Sequence, residues 1–193
     1  MKDQPTFDFY AREAETYATR YTMSEELPAF LARLRPGSRI LELGCGGGRD
    51  SEAMLAAGFE AVPTDGSPEL AREAEKLLGR PVRVLLFEDI DFVEAFDGVW
   101  ANACLLHAPK PSLPAIFKKI HRALRQCGVM YASFKTGAAE GIDRFGRYYN
   151  YPDEAFLREA LGAGWSSIEM AQRSGAGYYN LPAEWLQVTA IKG

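Results

Sequence analysis

Short apolar runs alternate with amphipathic segments along much of the chain, and Gly and Pro residues stand between them. The apolar runs are of a length that predicts buried strands, at residues 39–43, 60–64, 82–87, 98–101 and 128–134. Apolar residues spaced three and four apart predict helices at 50–57, 68–78 and 114–124. Strand and helix therefore alternate through the middle of the chain.

The two ends of the chain follow other patterns. Residues 7–34 have helical spacing of aromatic and aliphatic side chains, with tyrosines that include Tyr21. Beyond residue 135 the pattern predicts a helix at 153–161 and two further apolar runs, 165–170 and 185–191, joined by a loop over 174–182. We expect these last two runs to form a hairpin-like antiparallel pair on the sheet.

Alternation of strands and helices predicts the α/β class, with a Rossmann-like, doubly wound sheet that is mostly parallel and has helices on both faces. The antiparallel exception is expected at the C-terminal end. A length of 193 residues allows one substantial core but not two ordinary domains. We therefore expect residues 1–193 to form a single domain.

Composition narrows the possible partners. The net charge of -4 and the pI near 5.3 give no general attraction for phosphate backbones, so we expect no nucleic acid partner. The three cysteines have no CxxC spacing, so neither a disulfide framework nor a metal site is expected. No segment approaches the ~20 apolar residues of a membrane span. We expect a soluble cytoplasmic protein without a membrane partner, as a monomer or homodimer.

The turn after the first predicted strand is rich in glycine, with the sequence Gly-Cys-Gly-Gly-Gly at residues 44–48. In an open α/β sheet, ligands bind beyond the carboxyl ends of the strands, so such a turn is a candidate nucleotide site. A dinucleotide GxGxxG motif counted from Gly44 would need glycine where Arg49 stands, and no Gly-Lys-Ser/Thr follows for a P-loop. Glu42 before the turn suits a cationic ligand, and Asp65 after the second strand could accept hydrogen bonds from ribose hydroxyls.

With these motifs the sequence resembles the class I S-adenosylmethionine (SAM)-dependent methyltransferases. Residues 40–48 (Ile-Leu-Glu-Leu-Gly-Cys-Gly-Gly-Gly) match the first motif of that family, residues 62–70 resemble the second motif, and 96–101 resemble the fourth strand. The resemblance covers roughly residues 38–134 and is closest to small bacterial enzymes labelled tellurite-resistance or quinone-biosynthesis methyltransferases. It implies a helical lid at 1–34 over an α/β core at 38–193.

The resemblance also implies roles for individual residues, with SAM as cofactor and S-adenosylhomocysteine as product. The glycines would contact the amino-acid part of SAM, Glu42 its ammonium group and Asp65 its ribose. After the third strand, either Glu88 or Asp89 would bind the adenine amine. The residues assigned to SAM are Tyr10, Tyr17, Glu42, Gly44, Cys45, Gly46, Asp65, Gly66, Ser67, Phe87, Glu88, Asp89 and Ala101.

Two residues are candidates for catalysis on a small-molecule acceptor. His107, just beyond the fourth strand, could remove a proton from a hydroxyl or an amine, because a near-neutral pKa suits that task. If the acceptor is already an anion, no base is required, and Arg147 with Arg144 could hold it. The alternative functions are a non-catalytic SAM- or nucleotide-binding regulatory protein and an NAD(P)-dependent oxidoreductase.

Overall fold

The computed structural model describes residues 3–20, 22–178 and 181–193, and Tyr21 lies outside these ranges. The α-helices are α1 (Gln4–Arg20), α2 (Leu27–Leu31), α3 (Arg49–Ala56), α4 (Pro68–Leu78), α5 (Leu113–Ala123) and α6 (Glu154–Leu161). The strands are β1 (Arg39–Leu43), β2 (Glu60–Asp65), β3 (Arg83–Val84), β4 (Phe96–Ala101), β5 (Leu124–Lys135), β6 (Gly141–Ile142), β7 (Tyr148–Tyr149), β8 (Trp165–Ala176) and β9 (Pro182–Lys192). None of the described helices is long and apolar enough to cross a membrane.

The main sheet has the strand order β3-β2-β1-β4-β5-β9-β8, and β6 and β7 form a separate small ribbon. β1 pairs in parallel with both β2 and β4, and only β9 and β8 are antiparallel to their neighbours. The chain therefore winds outward from β1 in one direction and from β4 in the other. This arrangement confirms the predicted doubly wound sheet and puts the expected ligand site at the carboxyl ends of β1 and β4.

Alternate residues of the central strands build two apolar cores on opposite faces of the sheet. On β1, Leu41 belongs to the core that includes Phe117 of α5, whereas its neighbour Ile40 belongs to the core with Phe30 of α2 and Met54 of α3. All these side chains are buried. Helices consequently cover both faces, which leaves the carboxyl ends of the strands as the place for a ligand site.

Several element boundaries differ from the sequence prediction. The predicted helical region 7–34 is two helices, α1 and α2, with residues 22–26 between them. The predicted strand 82–87 shortens to Arg83–Val84, because Phe87–Asp89 turns into a 3₁₀ helix. Leu124 begins β5 rather than ending the preceding helix. The terminal hairpin is confirmed but is longer than predicted, because β8 and β9 extend into the predicted loop at 174–182.

Candidate active site

Two cavities of about 450 Å³ each lie beyond the carboxyl ends of the parallel strands. The first cavity extends along the β2 and β3 ends, and the second extends toward β5 and β7. They share a wall to which α1, the glycine-rich turn and the segment after β4 contribute. The shared residues are Tyr10, Tyr17, Gly44, Gly46, Ala103 and His107.

The glycine-rich turn is glycine-rich because its neighbours leave no room for side chains. Gly44 has a left-handed φ of 67°, and a Cβ there would lie 2.4 Å from Cβ of Cys104. A Cβ on Gly47 would lie 2.6 Å from Cα of Ala18 in α1. Such distances are far below van der Waals contact, so the turn accommodates both the segment after β4 and helix α1 only without side chains. The turn thereby holds α1 over the ends of the central strands.

Asp65, at the end of β2, joins the two turns that line the first cavity. One carboxylate oxygen accepts a hydrogen bond from the N–H of Gly46 at 2.8 Å, and the other accepts one from the N–H of Ser67 at 2.8 Å. Asp65 is 7% exposed, and loss of solvation raises its pKa to about 6, although the backbone hydrogen bonds oppose this shift. Gly66, which stands between Asp65 and Ser67 in the sequence, also lines this cavity.

Glu42 lies at the opposite side of the turn, in the wall of the second cavity. Its carboxyl group is buried and accepts a hydrogen bond from the hydroxyl of Ser51. Burial, together with the negative charge of Asp50, raises the pKa of Glu42 to about 8. Asp50 itself accepts hydrogen bonds from the indole N–H of Trp100 at 2.8 Å and from the N–H of Ser24 at 2.7 Å. This end of the second cavity therefore favours a cation.

The residues predicted to bind adenine differ in their position relative to the cavities. Phe87 and Glu88 line the first cavity, whereas Asp89 lines neither cavity. Ala101 was expected to contact the cofactor, but it is fully buried inside β4 and lines neither cavity. Ala103, two residues beyond the end of β4, lies in the shared wall instead. Cys45 is buried under the turn and lines the second cavity.

His107 ends a short 3₁₀ helix, Leu105–His107, and lines both cavities. Its Nδ1 donates a hydrogen bond to the carbonyl of Tyr148 at 2.7 Å, and its Nε2 lies 2.8 Å from the hydroxyl of Tyr10. Loss of solvation, with the positive charge of Arg147 nearby, lowers the pKa of His107 to about 4. The imidazole is therefore neutral near pH 7, and its Nε2 accepts a hydrogen bond from the Tyr10 hydroxyl.

Buried Asn150 holds the segment that carries His107. Its side-chain amide donates to the carbonyls of Leu105, at 2.8 Å, and Ala108, at 3.0 Å. Its backbone N–H donates to the carbonyl of Leu106 at 2.9 Å. These bonds satisfy the polar groups of a turn that would otherwise leave them buried and unpaired, and they fix the direction of the imidazole.

Arg147, predicted to hold an anionic acceptor, is buried and already paired with a carboxylate of the protein. The residue is 3% exposed, and its guanidinium donates to one carboxylate oxygen of Asp143 at 2.7 and 3.0 Å. Four aromatic rings surround it, with the centroids of Phe9 and Tyr178 each at 4.7 Å. Arg147 is part of the protein interior because aromatic rings and the Asp143 carboxylate replace the water around its guanidinium charge. Arg144, by contrast, is exposed and lies over the ring of Phe145.

Three residues of the site were missed in the sequence. Asp50 is the second residue after the glycine-rich turn, Lys135 is the last residue of β5, and Asn150 follows β7. Lys135 could have been found by inspecting the residues at the end of every parallel strand, because ligands bind there. Asn150 gives no such signal, since its partners are backbone atoms of a segment more than 40 residues away.

Residues 40–128 match the protein family described as a methyltransferase domain. A curated relative, the ubiquinone biosynthesis O-methyltransferase of Xanthomonas campestris pv. campestris (strain B100), is 33% identical over 123 residues, which are 59% of this chain and 51% of that protein. The chain thus spans about half the length of the curated relatives that it matches.

Solved structures share the fold over nearly the whole chain. The 1,6-didemethyltoxoflavin-N1-methyltransferase of Burkholderia thailandensis superposes with a TM-score of 0.77 at 23% identity, covering 98% of this chain and 86% of that one. TehB from Haemophilus influenzae superposes with a TM-score of 0.74 at 14% identity, covering 96% and 67%. At these identities the likeness concerns the fold.

Proposed function

We propose that the chain is a class I SAM-dependent methyltransferase and that it transfers a methyl group from SAM to a small-molecule acceptor. The observation that carries the proposal is a pair of buried acids, Glu42 and Asp65, on either side of the glycine-rich turn. The turn lies where the strand order of the sheet reverses, between β1 and β4. The Burkholderia enzyme with the same fold was solved with S-adenosylhomocysteine and its acceptor bound, which supports this assignment.

The residues present fit the parts of SAM. The first cavity, with Asp65, Phe87 and Glu88 in its walls, suits a ribose and an adenine ring. Glu42 is a buried acid with no cationic partner among the described residues, so the positive charges of SAM would compensate its burial. Gly46, in the wall between the two cavities, allows a ligand to pass close to the backbone.

SAM supplies an electrophilic methyl group on a positively charged sulfur, and transfer requires mainly alignment and exclusion of water. In this chain α1 covers the strand ends, and its Tyr10 and Tyr17 belong to the wall between the cavities. Tyr10 and His107 form a hydrogen-bonded pair at the same wall. We assign to His107 the removal of the acceptor proton, directly or through the Tyr10 hydroxyl, since its neutral Nε2 is the available base.

A small acceptor suits the second cavity better than a macromolecule does. The cavity measures about 450 Å³ and is lined by rings such as Tyr149 and Trp185, which suits a compact organic molecule. The net charge of -4 gives no basic surface for nucleic acid. The acceptor would therefore be a small organic molecule that enters from the side of β5 and β7.

Calorimetric titration with SAM, S-adenosylhomocysteine and NAD tests the proposal. We expect micromolar binding of the first two and none of NAD, because Arg49 stands where a dinucleotide motif has its third glycine. A screen of hydroxyl, amine and thiol compounds for methyl transfer then follows. Binding of NAD without SAM would overturn the proposal, and SAM binding without transfer to any compound would favour a regulatory SAM-binding protein.

A further inference from the structure

Lys135 carries a positive charge into the second cavity from the end of β5. Its ammonium lies 4.6 Å from the ring centroid of Tyr149 and 5.6 Å from that of Trp185. Among the described residues, no carboxylate lies within 4.0 Å of this ammonium and no acceptor forms a hydrogen bond with it. The side chain is half-buried, so part of its hydration is lost without a compensating anion.

Asp143, an acid close enough to affect the pKa of Lys135, is already committed to Arg147. One oxygen of Asp143 accepts from the Arg147 guanidinium, and the other accepts from the N–H groups of Phe145, at 2.9 Å, and Arg147, at 3.0 Å. Two cations and one carboxylate therefore leave this end of the cavity with an excess positive charge. Burial and the charge of Arg147 lower the pKa of Lys135, as expected for a cation that lacks a counterion.

Three other acids that line the second cavity have partners elsewhere. Glu26 accepts hydrogen bonds from Gln187, at 2.8 Å, and Ser24, at 2.9 Å. Asp50 and Glu42 lie at the glycine-rich turn, with the partners described above. The cavity therefore has an acidic end beside the turn, which suits the cationic part of SAM, and a basic end at Lys135.

We propose that Lys135 binds an anionic oxygen group, a carboxylate or a phosphate, of the methyl acceptor and thereby selects acceptors that carry a negative charge. The inference rests on the proposed function for the identity of the cavity as the acceptor site. Tyr149 and Trp185 flank the ammonium and would contact the apolar part of the same molecule. This assignment moves the anion-binding role from Arg147, which has an internal counterion, to Lys135, which has none among the described residues.

Three small probes of similar shape separate charge from size: benzoate, phenyl phosphate and the neutral benzamide. Their dissociation constants are measured by NMR titration on the wild-type protein, with and without saturating S-adenosylhomocysteine. The variants are Lys135→Met, which removes the charge, and Lys135→Arg, which keeps it. Lys110→Met is the matched control, because the Lys110 ammonium also lies over a ring, that of Phe156 at 4.8 Å, but does not line the second cavity.

We expect at least one anion to bind about tenfold or more tightly than benzamide, the gain typical of one charge-assisted contact. The preference should disappear in Lys135→Met, persist at least in part in Lys135→Arg and be unchanged in Lys110→Met. Whichever anion binds more tightly identifies the group as carboxylate or phosphate. Equal binding of all three probes to the wild type, or an anion preference that survives in Lys135→Met, would overturn the inference. If S-adenosylhomocysteine fails to bind while the anion preference remains, the proposed function fails and the anion site stands.

Discussion

Tyr10 and His107 meet across the wall between the two cavities, with 2.8 Å between the tyrosine hydroxyl and Nε2 of the imidazole. They are 97 residues apart in the sequence, and one belongs to α1 while the other ends the turn after β4. The contact joins the covering helix to the strand ends. It also occupies Nε2 of the candidate base with a phenol, so that any proton reaching His107 at Nε2 passes through Tyr10 or displaces it.

This pair predicts an unusual pH dependence of methyl transfer to a protonated acceptor. Because the pKa of His107 is lowered to about 4, the neutral base persists at pH values well below the usual histidine range. The acidic limb of the kcat/KM profile should therefore lie near pH 4 rather than near 6.5. His107→Gln should lower kcat by roughly 100-fold or more at neutral pH and recover as the acceptor ionises.

Tyr10→Phe serves as the companion variant, since it removes the hydroxyl but keeps the ring. A fall in kcat with little change in the binding of S-adenosylhomocysteine is expected if the hydroxyl transmits the proton. A fall in kcat in His107→Gln that is the same at every pH would mean that the imidazole has only a packing role.

SAM affinity should rise with pH because of Glu42. Burial and nearby acids raise the pKa of Glu42 to about 8 in the free protein, and a bound cation lowers it by favouring the ionised carboxylate. Binding then releases a proton below the free-protein pKa, so affinity rises from about pH 6 to about pH 8 by up to tenfold per pH unit. Calorimetry in buffers of different ionisation enthalpy measures the proton directly. Glu42→Gln should flatten the profile, and an affinity independent of pH in the wild type would contradict this role.

The strand and helix order was readable from the sequence because each buried strand is a short apolar run between glycines and prolines. The location of Glu42 and Asp65 at the candidate site could be predicted for a related reason, since both residues lie at the ends of predicted strands. The burial of Arg147 could not be predicted from the sequence, because it depends on the Asp143 carboxylate and on aromatic rings contributed by distant segments. Ala101 was placed at the site by motif position alone, yet the strand keeps its side chain inside the core.

Asp65→Ala should weaken SAM binding by about 1.5–3 kcal/mol, the range for hydrogen bonds to a charged group. The variant removes the proposed ribose acceptor and also the partner of the Gly46 and Ser67 N–H groups, so both turns should loosen. Calorimetric titration with S-adenosylhomocysteine measures the change. Glu69→Ala, on the neighbouring helix α4, is the control acid and should bind normally. Normal binding by Asp65→Ala would mean that the ribose lies elsewhere.

Arg147→Ala should reduce the stability of the fold, in addition to any effect on the acceptor. Removing one member of a fully buried ion pair costs about 3–5 kcal/mol, and we expect the lower end of that range because the Asp143 side chain is only half-buried. The Asp143 carboxylate would lose its cation, and the surrounding aromatic rings would lose their contact with the guanidinium. Chemical denaturation should show the loss, with exposed Arg144→Ala close to wild type. An unchanged unfolding midpoint in Arg147→Ala would contradict the core role.

The position of α1 over the site depends on Gly47, and Gly47→Ala tests whether that position matters for binding. The added Cβ would lie 2.6 Å from Cα of Ala18, a backbone atom that can move only with the helix. Gly47 does not have a left-handed φ, so the substitution adds this contact without backbone strain. Gly141→Ala is the matched control, because that glycine also lacks a left-handed φ and has nothing within 4 Å of its Cβ position.

Displacement of α1 moves Tyr10 and Tyr17 out of the shared wall, while the sheet and its two cores keep their contacts. We therefore expect Gly47→Ala to bind S-adenosylhomocysteine about tenfold more weakly, or about 1.4 kcal/mol, and to be cleaved faster by protease within α1. Its unfolding midpoint should stay near that of Gly141→Ala. Unchanged affinity together with faster cleavage would show that the helix is dispensable for the cofactor, and its tyrosines would then act only on the acceptor.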